Sequence, residues 1–208
     1  MQKRIFLTFF LLCFLLLVQN VIGQEETSMR IHGSTGLSSM SEKSYGSGLW
    51  SGFGFSILIK KDVFLSFNFG AWNSQVDATP DGLQNGTLMM SPFFISLHYL
   101  LGHEDPLINP YLFIGGGYIF TSFRMEDVFT IPEITLSQKI GSSLGGEVGA
   151  GIQLKVSKRI FLTADVSYLI NKTSGTTTIQ DLNFGITKEE FSLILSALIF
   201  RIGIKFLI

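Results

Sequence analysis

The amino-acid sequence predicts an all-β chain: eight antiparallel strands in an up-and-down barrel whose outer wall meets lipid. Three observations predict it. The first is the alternation in "SLGGEVGAGIQLKV", residues 143–156. Leu144, Gly146, Val148, Ala150, Ile152, Leu154 and Val156 share one face; Gly145, Glu147, Gly149, Gly151, Gln153 and Lys155 share the other. A strict period of two means a strand whose two faces see different surroundings. The second is the C-terminal run "FSLILSALIFRIGIKFLI", the one long apolar run outside the N-terminus. As a membrane helix it would carry Arg201 and Lys205 into hydrocarbon at substantial cost. As a strand it sorts cleanly, with Leu198, Phe200, Ile202, Ile204 and Phe206 opposite Ala197, Ile199, Arg201, Gly203 and Lys205. The third is that short turns alternate with long polar loops, the layout of a transmembrane barrel with both termini on the short-turn side.

The strands follow in order. "MRIHGSTGLSSM", near 29–40, is a weakly alternating first strand. In the second, "LWSGFGFSILIK", Phe53, Phe55, Ile57 and Ile59 oppose Gly52, Gly54 and Ser56. In the third, "VFLSFNFGAWN", Val63, Leu65, Phe67 and Phe69 oppose Ser66, Asn68, Gly70 and Trp72. The fourth, 87–99, contains Pro92, which has no N–H for a ladder and is expected near the rim or at a bulge. The fifth is 109–123 and the sixth is the glycine-rich stretch above. In the seventh, Leu162, Ala164, Val166, Tyr168 and Ile170 oppose Thr163, Asp165 and Ser167; the C-terminal run is the eighth. Short turns are expected at 60–62 and 157–159, a middling one at 101–109, and long loops at 39–48, 74–87, 124–140 and 171–189. A soluble lipocalin-type barrel would reverse the faces and would not place Phe after Phe outside.

The first 23 residues read as a signal peptide. Lys3 and Arg4 precede an apolar run from Ile5 to Val18, and Val21 and Gly23 suit the −3 and −1 positions of a cleavage site before Gln24. Residues 24–208 then form one barrel domain. Cys13 lies inside the apolar run after Leu11 and Leu12, so it is not a lipidation site, and the mature chain has neither disulfide nor thiol chemistry. Removing Lys3 and Arg4 from 15 basic residues leaves 13 against 16 acidic, a net of −3. That balance argues against a nucleic-acid partner.

With these features the chain resembles the small eight-stranded outer-membrane barrels of diderm bacteria, of the OmpA, OmpX and OmpW kind. The resemblance spans essentially the whole mature chain. It rests on the leader, the eight segments, "NPYLFIGGGYIF" and the alternating last strand. It implies a multi-pass protein of the bacterial outer membrane, surrounded by lipid, whose C-terminal strand is read by the barrel assembly machinery. Such barrels usually end in an aromatic residue; this chain ends Phe206, Leu207, Ile208, with Phe206 and Ile208 keeping the phase.

Glycine suits a lumen too narrow for many large side chains. The inward charges are Glu147, Lys155, Asp165, Arg201 and Lys205, with Arg30 and His32 toward the periplasmic end. They read as a lumenal salt-bridge network in a side-chain-packed interior, with Asp165 paired to Arg201; an ion path is the rival reading. Trp50 and Trp72 fall on the lumenal face near the outer rim, where they close the top or line an apolar ligand's entrance. His32 and Ser34 share a strand face, but at the wrong end for a lipid-facing hydrolase. His98 and His103 have no metal-ligand spacing with each other or with His32, and no cofactor motif is present. The expected function is non-enzymatic: a structural or surface-interaction protein with four outward loops that offer a site for an extracellular ligand. Acidic Asp77 and Asp81, apolar Phe129 and Ile131, and the threonine-rich "KTSGTTTIQD" mark those loops. The alternative is a narrow, porin-like conduit for small or hydrophobic solutes. Mass spectrometry of the purified protein should find a chain beginning at or near Gln24; retention of Met1 would contradict the leader.

Overall fold

The computed structural model describes residues 28–42, 44–79, 83–102, 107–126 and 134–208. The expected leader, with its cleavage site, and Asp81, His103, Phe129 and Ile131 lie outside them. The strands are β1 (Met29–Met40), β2 (Ser47–Lys60), β3 (Val63–Val76), β4 (Gly86–Leu100), β5 (Ile108–Met125), β6 (Ile134–Ile140), β7 (Ser143–Lys155), β8 (Ile160–Asp181), β9 (Gly185–Ile194) and β10 (Ala197–Leu207). All pairings are antiparallel. Eight strands close a ring in the order β1, β2, β3, β4, β5, β7, β8, β10, and β10 returns to β1. Closure leaves the ring no free edge.

The other two strands correct two expected loops. β6 leads into β7 past Gly141 and Ser142, and β9 into β10 past Leu195 and Ser196. Both pair with the far half of β8, Ile140 opposite Gly175 and Ile194 opposite Lys172. Much of 124–140 and 171–189 is therefore a three-stranded sheet standing on the barrel. Thr176, Thr177, Thr178 and Ile179 are β-branched and suit an extended chain. Above the lipid no apolar face is demanded, so the alternation that marks a membrane strand fades while the pairing continues.

Pro92 also departs from expectation. It lies in the middle of β4, with no bulge. It sits opposite Ile119 on β5, and on the β3 side the paired positions run from Phe69 with Phe93 to Trp72 with Met90 in one register. The ladder omits Gly70 opposite Pro92 and Ala71 opposite Ser91, where proline has no N–H to give.

Stagger sets the interior. From Arg201 one way round, the paired residues are Gly36, Trp50, Trp72, Met90 and then Thr121 on β5. The other way they are Asp165, Gly151 and then Tyr111 on β5, ten residues from Thr121. A shear of ten over eight strands tilts them by about 40°. Residues distant along a strand count thereby meet at one height in the lumen, Trp50 beside Arg201 among them.

Outward positions are apolar as read: Phe53 and Phe69 stack at 5.2 Å, and Phe69 and Phe93 lie 4.7 Å apart. Inward, the half toward the long connections holds an apolar core. Trp72, Leu88, Met90, Ile119, Leu169 and Ile199 are all buried there, with Leu83, Leu193 and Leu195 from the connections packed on top. Gly70 makes room for it, because a Cβ there would run into the six-membered ring of Trp50. The folded protein should run at a different gel position unheated than boiled. Gly70→Val should destabilise by about 1–3 kcal/mol through overpacking, read as a lower temperature for loss of the folded band.

Candidate functional site in the barrel lumen

Below the apolar core the lumen turns polar. Arg201 on β10 lies directly opposite Asp165 on β8. Its Nε donates to Asp165 Oδ1 at 2.6 Å, and its terminal nitrogen reaches Glu147 Oε1 on β7 at 2.7 Å. Ser167 Oγ donates to the same Glu147 oxygen at 2.7 Å, and Tyr111 OH donates to Asp165 Oδ2 at 2.9 Å. The guanidinium also lies 5.3 Å from the Phe113 ring centre and 5.4 Å from that of Trp50. One cation thus serves two carboxylates, and each carboxylate accepts a second, uncharged donor. Burying such charges is tolerable only with this degree of satisfaction.

The group is one positive charge short, and Lys205 supplies it. Its ammonium lies 4.7 Å from the centre of the Tyr111 ring, whose hydroxyl holds Asp165. With both carboxylates ionised and both cations charged, Arg201, Lys205, Glu147 and Asp165 sum to zero. Lys155 ends β7 opposite Phe161, half-buried toward the short turns. Arg30 sits nearby, its guanidinium 4.2 Å over Phe64 and 4.9 Å over Phe161, donating to Gln153 at 3.3 Å. Cation and aromatic rings span the lumen there.

Across from Arg201 runs a hydrogen-bonded polar chain that the sequence reading missed. His32 Nε2 meets Asn68 Oδ1 at 2.8 Å, Asn68 Nδ2 donates to Ser96 Oγ at 2.8 Å, and Ser96 meets His98 Nε2 at 2.9 Å. His98 stacks on Phe113 at 5.0 Å. His32, Asn68, Ser96 and His98 come from β1, β3 and β4, and only their shared inward phase signals them in sequence. His32 and Ser34 point into the lumen, yet His32 is engaged by Asn68, and Ser34 receives the Trp50 indole N–H at 3.4 Å. The Ser96–His98 contact lacks a carboxylate to orient it, since His98 Nδ1 has no partner among the described residues. The belt encloses a cavity of about 40 Å³ between His32, Asn68, His98, Tyr111, Arg201 and Lys205. That is room for one or two waters, not for an acyl or sugar substrate. Trp50 lines it and packs against Trp72, with ring centres 5.3 Å apart. Among the described residues no three of His, Cys, Asp and Glu gather as a metal site.

A closed eight-stranded ring with a lipid-facing apolar wall and a packed lumen is the fold of the small outer-membrane β-barrels. Solved structures agree. Superposition on the outer membrane protein OprG from Pseudomonas aeruginosa gives a TM-score of 0.66 at 17% identity, covering 89% of this chain and 98% of that one. A major outer membrane protein from Thermus thermophilus gives 0.57 at 11% identity, covering 88% and 100%. Neisserial surface protein A gives 0.54 at 14% identity, covering 86% and 96%. No protein-family model matches the sequence, and no curated protein matches it either. At these identities the likeness is one of fold.

Removing one member of the Arg201 cluster leaves an uncompensated buried charge. Arg201→Met should destabilise the barrel by about 3–5 kcal/mol, and Asp165→Asn combined with Arg201→Met by less than the sum of the two singly. Urea unfolding in lipid vesicles measures both; strict additivity would mean the two side chains do not interact.

Proposed function

We propose that this chain is a bacterial outer-membrane barrel with no enzymatic role and no open pore, acting through the structure it raises above the membrane. The observation that carries this is the filling of the lumen in two tiers. Arg201 with its two carboxylates spans the waist, and the apolar core of Trp72, Leu88, Met90 and Ile199 seals the half above it. A solute would have to break a buried ion cluster and then displace close-packed side chains. The outer-membrane structures that share the fold support the localisation.

In this reading the short connections 61–62 and 156–159 face the periplasm, and the β6–β8–β9 sheet faces outward. The barrel assembly machinery would engage β10, whose Phe206 faces the lipid side. The outward sheet and loops would then carry any extracellular ligand.

A conduit for small or hydrophobic solutes is the rival function, and bilayer recording separates the two. The purified protein should give no steady conductance above that of the bare membrane. Sustained channel openings would establish the conduit, and lipid hydrolysis lost on His32→Ala would establish an enzyme.

A further inference from the structure

The β8–β9 hairpin ends in an apex that folding does not explain. Its turn exposes Leu182 by 73%, Phe184 by 92% and Ile186 by 64%. Among the described residues nothing covers these side chains, yet the turn that presents them is firmly built. Asp181 Oδ1 accepts the backbone N–H of Asn183 at 2.7 Å and of Phe184 at 3.2 Å. Gly185 then turns the chain at φ 92°, in the left-handed region that favours glycine. The apex is also held up from below. β8 is paired on both sides to its last residue, with Asp181 opposite both Ile134 and Gly185.

The apex stands clear of the barrel's own lipid belt. On the outward face of β8 the last apolar residue is Ile170, followed by exposed Lys172 and Ser174. Twelve residues separate Ile170 from Leu182, about 40 Å along the strand and about 30 Å in height at the barrel tilt. Between them the outward positions are Thr176, Thr178 and Gln180, and across from them Lys188 and Glu190. The apolar surface is confined to the tip.

We propose that this tip is a lipid-contact element: Leu182, Phe184 and Ile186 insert into the headgroup–acyl boundary of an electrically neutral lipid surface facing the protein. Three features select lipid. The tip is convex and offers on the order of 400 Å² of apolar surface, about half of what each partner contributes to a stable protein interface. Shallow insertion of a few apolar side chains needs no such area. The turn's N–H groups at 183 and 184 are already satisfied by Asp181, which lowers the cost of removing them from water. Charge selects the kind of lipid: among the described residues at these heights Asp181, Glu189 and Glu190 outnumber Lys139 and Lys188 by one, so an anionic surface weakly repels it. The proposal deepens the reading of the outward sheet as the working part, and it rests on that reading for its place in the cell.

The test uses the full barrel in nanodiscs mixed with phosphatidylcholine vesicles and floated on a density gradient. Nanodiscs leave both barrel ends accessible, so the assay does not depend on orientation in a cell. Labelling of Lys188→Cys on intact cells tests that orientation separately. The wild type should float with phosphatidylcholine and less well with phosphatidylglycerol vesicles. The triple variant Leu182→Ser, Phe184→Ser, Ile186→Ser should keep its heat-shifted gel band and lose flotation by about tenfold. Equal flotation of the variant, no flotation of the wild type, or nanodiscs that pair through the tip without vesicles would each overturn the proposal.

Discussion

A ring of eight strands sheared by ten residues encloses a space about as wide as the side chains that must fill it, and the other features of this molecule answer to that limit. Glycine lines β5 and β7 where large neighbours cross the lumen. At Gly149 a Cβ would meet the Phe113 ring, and at Gly151 it would crowd Tyr111 and Asp165. Those two glycines let Phe113 and Tyr111 lie flat beside Arg201. The alternation of bare and bulky inward residues is thus a volume constraint, written once for each strand.

Within that space the chain separates two kinds of burial along the barrel axis. The apolar tier takes its stability from the removal of Leu, Met, Ile and Trp side chains from water, as any soluble core does. The polar tier has no such gain, and it persists because its charged groups meet partners of opposite charge and most of its other donors meet acceptors. Arg201 holds Glu147 and Asp165, Tyr111 and Ser167 complete those carboxylates, and His32 to His98 form a hydrogen-bonded chain alongside. Trp50 joins the tiers, its ring packed with Trp72 on one side and near the Arg201 guanidinium on the other. Two different physical strategies close one tube.

The wall and the superstructure follow separate rules. Where lipid is the solvent, outward residues must be apolar and every backbone group must pair, so the eight strands are regular and the lone proline of β4 stands out as a gap in one ladder. Above the lipid the requirement for an apolar face lapses. β6, β8 and β9 continue there as a sheet of threonine, serine and charged residues. Apolar side chains reappear at its tip, where Leu182, Phe184 and Ile186 are exposed among the described residues.

The sequence by itself determined the strand phase. Alternation in 143–156 and 191–208 assigned each residue of β7 and β10 to lipid or lumen, because a period of two admits only two answers. With the same alternation in 160–170, it brought Glu147, Asp165 and Arg201 to the same interior. It could not determine which inward residues meet, since that depends on shear, a property of the closed ring and of no single strand. The His32–Asn68–Ser96–His98 chain was illegible for this reason: its bonded neighbours lie as many as 36 residues apart, and inward phase alone does not say which of them meet. The outward sheet was illegible for the complementary reason. Pairing on two sides of β8 made strands of 134–140 and 185–194, and only the folded barrel supplies those partners.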